Sequence, residues 1–478
     1  MPDLLDKIVS LAKQRGLIFQ SSEIYGGMAA IYDYGPLGVE LKRNVKERWW
    51  QAMVYQNDDV VGLDAAIMMH PEVWKASGHL DAFNDPMIDD RQSGHRYRAD
   101  ELIEEHAASL RSDGEDEEAA RVEEQLAEAR RADDPNEAFY DIIHEEEIRS
   151  PDSGAFDWTA VRNFNLMFAS NYGPASDSTV YLRPETAQGI FVNFRNAQET
   201  ARQHLPFGIA QIGKAFRNEI VARQFVFRTR EFEQMEMQYF LKPGEEEDAF
   251  QRWKEKRMNW HVENGVRPER LRWHAHDQLS HYAVAAEDIQ YQFPMGWKEL
   301  EGLHSRTDFD LGQHEEHSGK KMSYYDPWEE ERYTPYVVET SAGLDRTILV
   351  LLCDAYTEDE ISGDERTVLQ LHPELAPYRA AVFPLVKKEG MPERAHEIER
   401  DLRQHFNVMY DERGSMGKRY RRMDEAGTPF CITVDGQTME DGTVTVRDRD
   451  TTEQDRVPAE NVATYIFDAS RGWTPDGA

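Results

Sequence analysis

Between two short apolar runs, 207–216 and 232–240, the chain carries Arg217, Glu219, Arg223, Arg228 and Arg230. Both runs alternate apolar with polar residues, which predicts the two strands of a hairpin. A hairpin tip crowded with guanidinium groups is costly unless something anionic sits there. Arg is planar, always charged and matched to the paired oxygens of phosphate and carboxylate. Incidental surface ion pairs need no fixed order. Here Phe216-Arg217-Asn218-Glu219 is followed by Arg228 and then, with three residues between each, by Phe232 and Glu236.

A second constellation lies in PYVVETSAGLDRTILVLLCDAY (335–356): an apolar strand runs into Gly343, then Asp345-Arg346, then an apolar helix. Glycine at 343 lets backbone come close to a bound group. Glu185 follows a strand-like run in RPETAQG. Pro184 sets φ there and acids favour a helix N-terminus, while a carboxylate is also the natural partner of a primary ammonium. Histidines at 274, 276, 281, 304, 314 and 317 invite a metal reading, but His314 and His317 are three apart rather than the four of HExxH.

The elements that must carry these residues follow from periodicity. Residues 1–15 read as a helix ending at Gly16, and after the YDYGPLG turn 39–50 is an amphipathic helix. From 100 to 147 the composition turns to Ala, Glu and Arg, with no aromatic residue until Phe139. This reads as two helices around an SDGED turn with a break at Asp134-Pro135, its charge mainly a solvated face. The stretch 357–377 is polar and turn-rich, and beyond it strands and helices alternate as in a small α/β unit. The expected divisions are 1–99, the acidic helical insertion 100–147, 148–365, a linker 366–376, and a last domain 377–478.

With 90 acidic and 55 basic residues among 478, the formal charge is −35. That excludes a generic nucleic-acid binder with a basic field, though not a local basic patch. Scarce Lys beside Arg and dispersed acids suit a salt-rich cytoplasm, where repulsion is screened. Two cysteines, Cys353 and Cys431, offer no disulfide framework. No signal-like segment or apolar run of membrane length occurs, so a soluble cytoplasmic protein is expected.

The order in 205–240 resembles motif 2 of class II aminoacyl-tRNA synthetases, and the whole segment resembles the homodimeric glycyl-tRNA synthetases. The resemblance covers nearly the whole chain apart from 100–147 and the linker. It implies an α+β fold: a catalytic domain on an antiparallel sheet with a helical insertion, and a C-terminal α/β anticodon-binding domain. The implied activity is glycine–tRNA ligation, in which ATP and glycine give glycyl-adenylate and the glycyl group then passes to tRNA(Gly). Both first-step reactants are anions, so catalysis is mostly charge neutralisation and alignment.

Carried over residue by residue, Arg217 holds the α-phosphate, Glu219 positions ATP or Arg217, Phe232 stacks on adenine, and the 220–227 loop reaches the acceptor end of tRNA. The GLDR stretch resembles motif 3, which puts Arg346 on the γ-phosphate and adenine. Arg217, Glu219 and Arg346 are the implied catalytic residues. ATP contacts are also implied for Asn218, Phe227, Arg228, Thr229, Arg230 and Glu231. Glu299 and Leu300, then Gly343, Leu344 and Asp345, complete that set, with Glu299 as a Mg²⁺ ligand. Glycine contacts are implied for Arg98, Glu185 and Phe232. They extend over Glu233, Gln234, Met235 and Glu236 in motif 2, and over Glu339, Thr340, Ser341, Ala342 and Gly343 before motif 3. A carboxylate cage would grip ammonium while tight walls exclude any larger side chain, so no editing domain is needed. Some relatives carry paired cysteines before 89–98; this chain has none there, and no zinc is expected. Motif 1, which builds the dimer interface in class II enzymes, is expected to end at Pro71, with Trp49, Trp50 and Trp74 in the interface or the core.

GSMGKRYRRMDEAGTPFCITVD (414–435) resembles the anticodon-binding domain shared by several class II synthetases. Lys418, Arg419, Arg421 and Arg422 beside Tyr420 form the densest basic cluster, which suits contact with a single-stranded loop of tRNA. Two rivals stay open. One is a class II synthetase for histidine, threonine or proline, against which RPETAQG and ETSAG argue. The other is a catalytically dead paralogue that binds nucleic acid, against which the retained Arg217 and Arg346 argue.

Overall fold

The computed structural model describes residues 4–173, 178–220, 224–276, 284–361 and 363–474. Before the central sheet come α1 (Leu4–Arg15) and α2 (Pro36–Trp50), then strand β1 (Val60–Gly62). Pro71 opens a short helix, Pro71–Ala76, where its missing N–H costs nothing. Trp49 and Trp74 are fully buried, so both are core residues.

The acidic insertion folds as three helices rather than two, α3 (Ala99–Ser112), α4 (Asp116–Ala129) and α5 (Pro135–Glu145), because Asp134-Pro135 starts a helix instead of only ending one. Gly114, at φ +86°, makes the turn between α3 and α4 that the SDGED stretch announced. Asp134 caps α5 by accepting from the N–H groups of Asn136 and Glu137 at 3.1 and 3.2 Å. The core of this lobe runs from Ile88 to Val161, wider than 100–147. It takes in a three-stranded sheet of Asn84–Asp89, Arg96–Arg98 and Arg162–Asn165.

The hairpin expected around the arginines is present as β2 (Phe207–Phe216) and β3 (Glu231–Leu241), preceded by helix α6 (Ala187–Phe191). After α7 (Glu246–Glu263) come β4 (Leu271–Ala275), β5 (Ala285–Phe293) and β6 (Gly296–Thr307). Helix α8 (Phe309–Ser318), β7 (Tyr336–Gly343) and α9 (Leu344–Ala355) finish the domain. Among the described residues these strands make one seven-stranded sheet in the order β4-β5-β6-β7-β3-β2-β1. Every pairing is antiparallel except β1 with β2. Helices α2, α7 and α9 cover one face and bury Met235 and Met237 of β3 completely. Each such methionine contributes about 1.5–3 kcal/mol by leaving water. Every residue of α9 except Arg346 is buried.

Beyond the domain, Leu369, Leu371 and Leu375 pack into the catalytic core, and Arg366 reaches Asp424 of the last domain at 3.2 Å. The stretch read as a linker is therefore packed between the two units. The C-terminal unit holds β8 (Ala380–Pro384), α10 (Met391–Leu402), β9 (Val408–Tyr410), α11 (Met416–Glu425) and β10 (Phe430–Val434). It ends with β11 (Thr443–Asp448), β12 (Gln454–Pro458) and α12 (Val462–Arg471), its sheet running β9-β8-β10-β11-β12. Among the described residues no helix is long and apolar enough to cross a membrane.

Candidate active site

Successive side chains of a strand point to opposite faces, so β3 divides its residues. Glu233 pairs with Lys42 at 2.6 Å and with Lys46, both from α2, and Met235 lies in the helix-covered core. Phe232, Gln234, Glu236 and Gln238 take the other face. On β7, Glu339, Ser341 and Gly343 share that face, while Thr340 and Ala342 lie on the core side with Val338. The register sets Glu236 opposite Ser341, and His304 of β6 opposite Glu339.

One end of this face is a polar cleft lined by Arg217, Glu219, Arg228, Phe232, Glu299 and Arg346, with Phe227, Thr229, Gln234, Ser341, Gly343 and Asp345 around them. The Arg217 guanidinium lies between the rings of Phe83 and Phe232, at 5.3 and 5.5 Å, and its Nε donates to Pro184 O at 3.1 Å. Among the described residues no carboxylate lies within 4.0 Å of it. Arg346 stacks over Phe227 at 4.5 Å and bonds both the backbone and the carboxylate of Glu299 at 3.0 Å. Arg346 holds the Glu299 carboxyl below its usual range.

A bulge between β5 and β6 leaves Leu300 without a partner. It lets Glu299 face the cleft while Glu301, two residues on, faces the core helices. There Arg257 grips Glu301 with two bonds, 2.5 and 3.1 Å, and His261 adds a third at 2.8 Å. Leu300 and Leu344 belong to the core. Arg230 clamps the backbone of Glu219 and Ala29, Glu231 pairs with Lys214 at the surface, and Asn218 holds Leu166 O through its own N–H. Asp345 accepts from Tyr34, Lys42 and the Glu233 N–H, pinning the start of α9 to α2 and β3. Residues 221–223 of the 220–227 loop lie outside the described residues.

Farther along the same face, three carboxylates converge. Burial alone would raise the carboxyl of Glu185, but His79 and then Arg306 outweigh it and hold the group at about 2. Glu339 bonds His304 at 2.9 Å, Arg306 at 2.9 Å and Gln238 at 2.5 Å. Against its burial, Arg306 and His304 keep it well below the carboxylate range. Among the described residues, the hydrogen-bond partners of the Glu236 carboxylate are the Thr186 hydroxyl and the Gln238 amide, at 2.9 Å for the latter. Burial, then Glu339 and Glu185, push it well above the ordinary value. A second layer braces the pocket. Arg306 is tied twice to Asp310, and Gln188 bridges Glu185, Asp310 and His314. Sequence reasoning missed His79, Arg306, Asp310 and Gln188 as site residues. Their partners lie up to 126 positions away, and only alternation along β6 hinted that His304 and Arg306 share a face.

Arg98 makes its ion pairs with Asp85, Asp100 and Glu101, at 3.4, 2.7 and 3.5 Å, in the insertion lobe. Glu101 also touches Arg228 at 3.5 Å. The basic residues of α11 do not form one open face. Arg419 is buried and donates to Pro384 O and Gly414 O, and Arg422 pairs with Asp411. Arg421 pairs with Asp364 at 3.2 Å, while Lys418 is exposed. Each guanidinium was sited by its helix to satisfy a nearby carbonyl or acid, which a run of basic letters does not reveal. Among the described residues no group of three or more His, Cys, Asp or Glu is arranged to hold a metal; His281 lies outside them.

Three family patterns match the chain. Residues 174–354 match the tRNA synthetase class II core domain (G, H, P, S and T), and 379–468 match an anticodon-binding domain. Residues 85–121 and 115–166 match glycyl-tRNA synthetase insertion domain 1, in line with the wider lobe. Core and anticodon-binding modules on one chain, with an arginine-walled cleft in the core, define a class II aminoacyl-tRNA ligase. The glycine–tRNA ligase of Chlorobaculum tepidum is 56% identical over 97% of this chain and 99% of its own. Those of Clostridium perfringens and Geobacillus thermodenitrificans are each 52% identical, over 97% and 98% of this chain and 97% of their own. The chain belongs to the glycine–tRNA ligase family.

Proposed function

We propose that the cleft binds ATP, that the three-carboxylate pocket binds glycine, and that the product is glycyl-tRNA(Gly). The observation that carries this reading is the shared strand face: two guanidiniums, Arg217 and Arg346, stand at one end and Glu185, Glu236 and Glu339 at the other. An ammonium placed among the acids would direct its own carboxylate toward Arg217. Arg217 would hold the α-phosphate, Phe232 would lie under adenine, and Arg346 would leave Glu299 for the γ-phosphate. Attack of the glycine carboxylate oxygen on the α-phosphorus then expels pyrophosphate, and the arginines neutralise charge as it shifts. No protein nucleophile is required. The half-exposed Glu299 carboxylate beside Arg346 fits a Mg²⁺ ion, whose preference is one or two carboxylates plus phosphate oxygens; when bound, the ion would supply further neutralisation of the triphosphate.

In this reading Ser341 and the polar side chains around the three acids would admit hydrogen atoms at the α-carbon and exclude larger side chains by clash. Lys418 and the C-terminal domain would meet tRNA. The protein would work in the cytoplasm, as a homodimer through the α2–β1 region. ATP–pyrophosphate exchange with each amino acid, at low and high salt, tests the assignment. Exchange with glycine alone is expected. Exchange with another amino acid sinks the cage, and none in any salt favours the nucleic-acid-binding paralogue.

A further inference from the structure

Each charged carboxylate of the pocket has a histidine behind it: His79 on Glu185 at 3.3 Å and His304 on Glu339 at 2.9 Å. His304 stands directly across from Glu339 in the β6–β7 register. Its ring occupies room that exists because the residue at 302 is glycine. A Cβ on Gly302 would fall 2.8 Å from His304 Cε1, too close for the ring to stay. Asp288 and His276, paired at 2.7 Å, close the outer side, with the His276 ring perpendicular to that of His304 at 6.1 Å. Arg306 and Gln238 hold Oε2 of Glu339. Among the described residues, the hydrogen-bond partner of Oε1 is His304 Nδ1. With only Oε2 tied, the carboxylate plane could turn about its last bond.

We propose that His304 is a positioning residue for amino-acid activation: by holding Oε1 it fixes the plane of the Glu339 carboxylate that receives the glycine ammonium, and Gly302 makes room for it. The inference rests on the assignment of Glu339 to glycine. It does not require His304 to touch substrate.

The test is pyrophosphate exchange by the full-length protein, with KM for glycine and for ATP measured separately. His304→Leu should raise the glycine KM about tenfold, the worth of one charge-assisted hydrogen bond, and leave the ATP KM within twofold. His304→Asn, whose side-chain N–H stands near the position of Nδ1, should restore most of the loss. Gly302→Ala should shift the glycine KM in the same direction as His304→Leu by displacing the ring. If Glu339→Gln raises the glycine KM while His304→Leu and Gly302→Ala leave it within twofold of wild type, the proposal is overturned and the pocket assignment stands. If Glu339→Gln leaves it unchanged, the pocket assignment falls and takes the proposal with it. Should His304→Leu fail to fold on melting, Gly302→Ala and His304→Asn decide: a wild-type glycine KM in Gly302→Ala overturns the role.

Discussion

Glu236 and Glu339 are the same side chain on adjacent strands, yet their surroundings shift their titrations in opposite directions. Arg306 and His304 favour the charged form of Glu339, while burial, with Glu339 and Glu185 close by, favours the neutral form of Glu236. The ligand-free pocket therefore favours the protonated form of Glu236. An arriving ammonium reverses the balance, because it favours the ionised carboxylate, so glycine should enter as that proton leaves. The sign follows. Below the raised titration of Glu236, lower pH reloads the proton and opposes glycine, and the dissociation constant should rise by up to about tenfold per pH unit. Calorimetric titration with glycine in two buffers of different ionisation enthalpy should show proton release; Glu236→Gln should abolish it. Equal heats in both buffers would remove the neutral Glu236 from the picture. The three acids were legible in the sequence because each lies in a motif with a fixed order. Their protonation was not, since it depends on His79, His304 and Arg306, which reach the pocket only after the sheet has formed.

Elements decide which of the legible residues meet. The sequence reading of β3 placed Phe232 through Glu236 together at the site, yet the pleat sends Glu233 and Met235 to the helices. Period-two alternation could have said so. The bulge at Leu300 is different, because an extra residue in one strand leaves no mark in composition or spacing. Behind that bulge the buried Arg257–Glu301–His261 cluster ties α7 to β6. Removing one partner of a buried ion pair leaves an uncompensated charge, so Arg257→Met should cost about 3–5 kcal/mol in reversible urea unfolding. A loss below about 1 kcal/mol would mean that the apolar contacts of α7 hold the strand unaided. In the sequence, an Arg and a His within a polar helix give no hint that both are buried.

At the scale of the whole molecule, the charge of −35 opposes compactness. Many ion pairs are exposed and individually weak, as between Arg111 and Glu123 or Arg121 and Glu118. Screening should therefore relieve more repulsion than it removes attraction. Melting temperature is expected to rise from about 0.05 M to about 1 M KCl, where the screening length falls to about 3 Å. A fall would show that attractive pairs outweigh the net charge and would remove the reason for expecting a salt-rich cytoplasm. The acidic lobe was legible as helices from its composition and caps. Its true extent was not, because the strands that complete its core, Asn84–Asp89 and Arg162–Asn165, lie on either side of the helical stretch and look unremarkable in isolation. The two-sided strand at the centre has one more consequence, for the gene rather than the protein. Along the codons of 232–238, tolerated changes should alternate: one beat is set by whether the chain survives heat, the next by whether it supports growth. A lineage that drifts to a colder or hotter habitat can then retune the odd beats while the even ones stay silent.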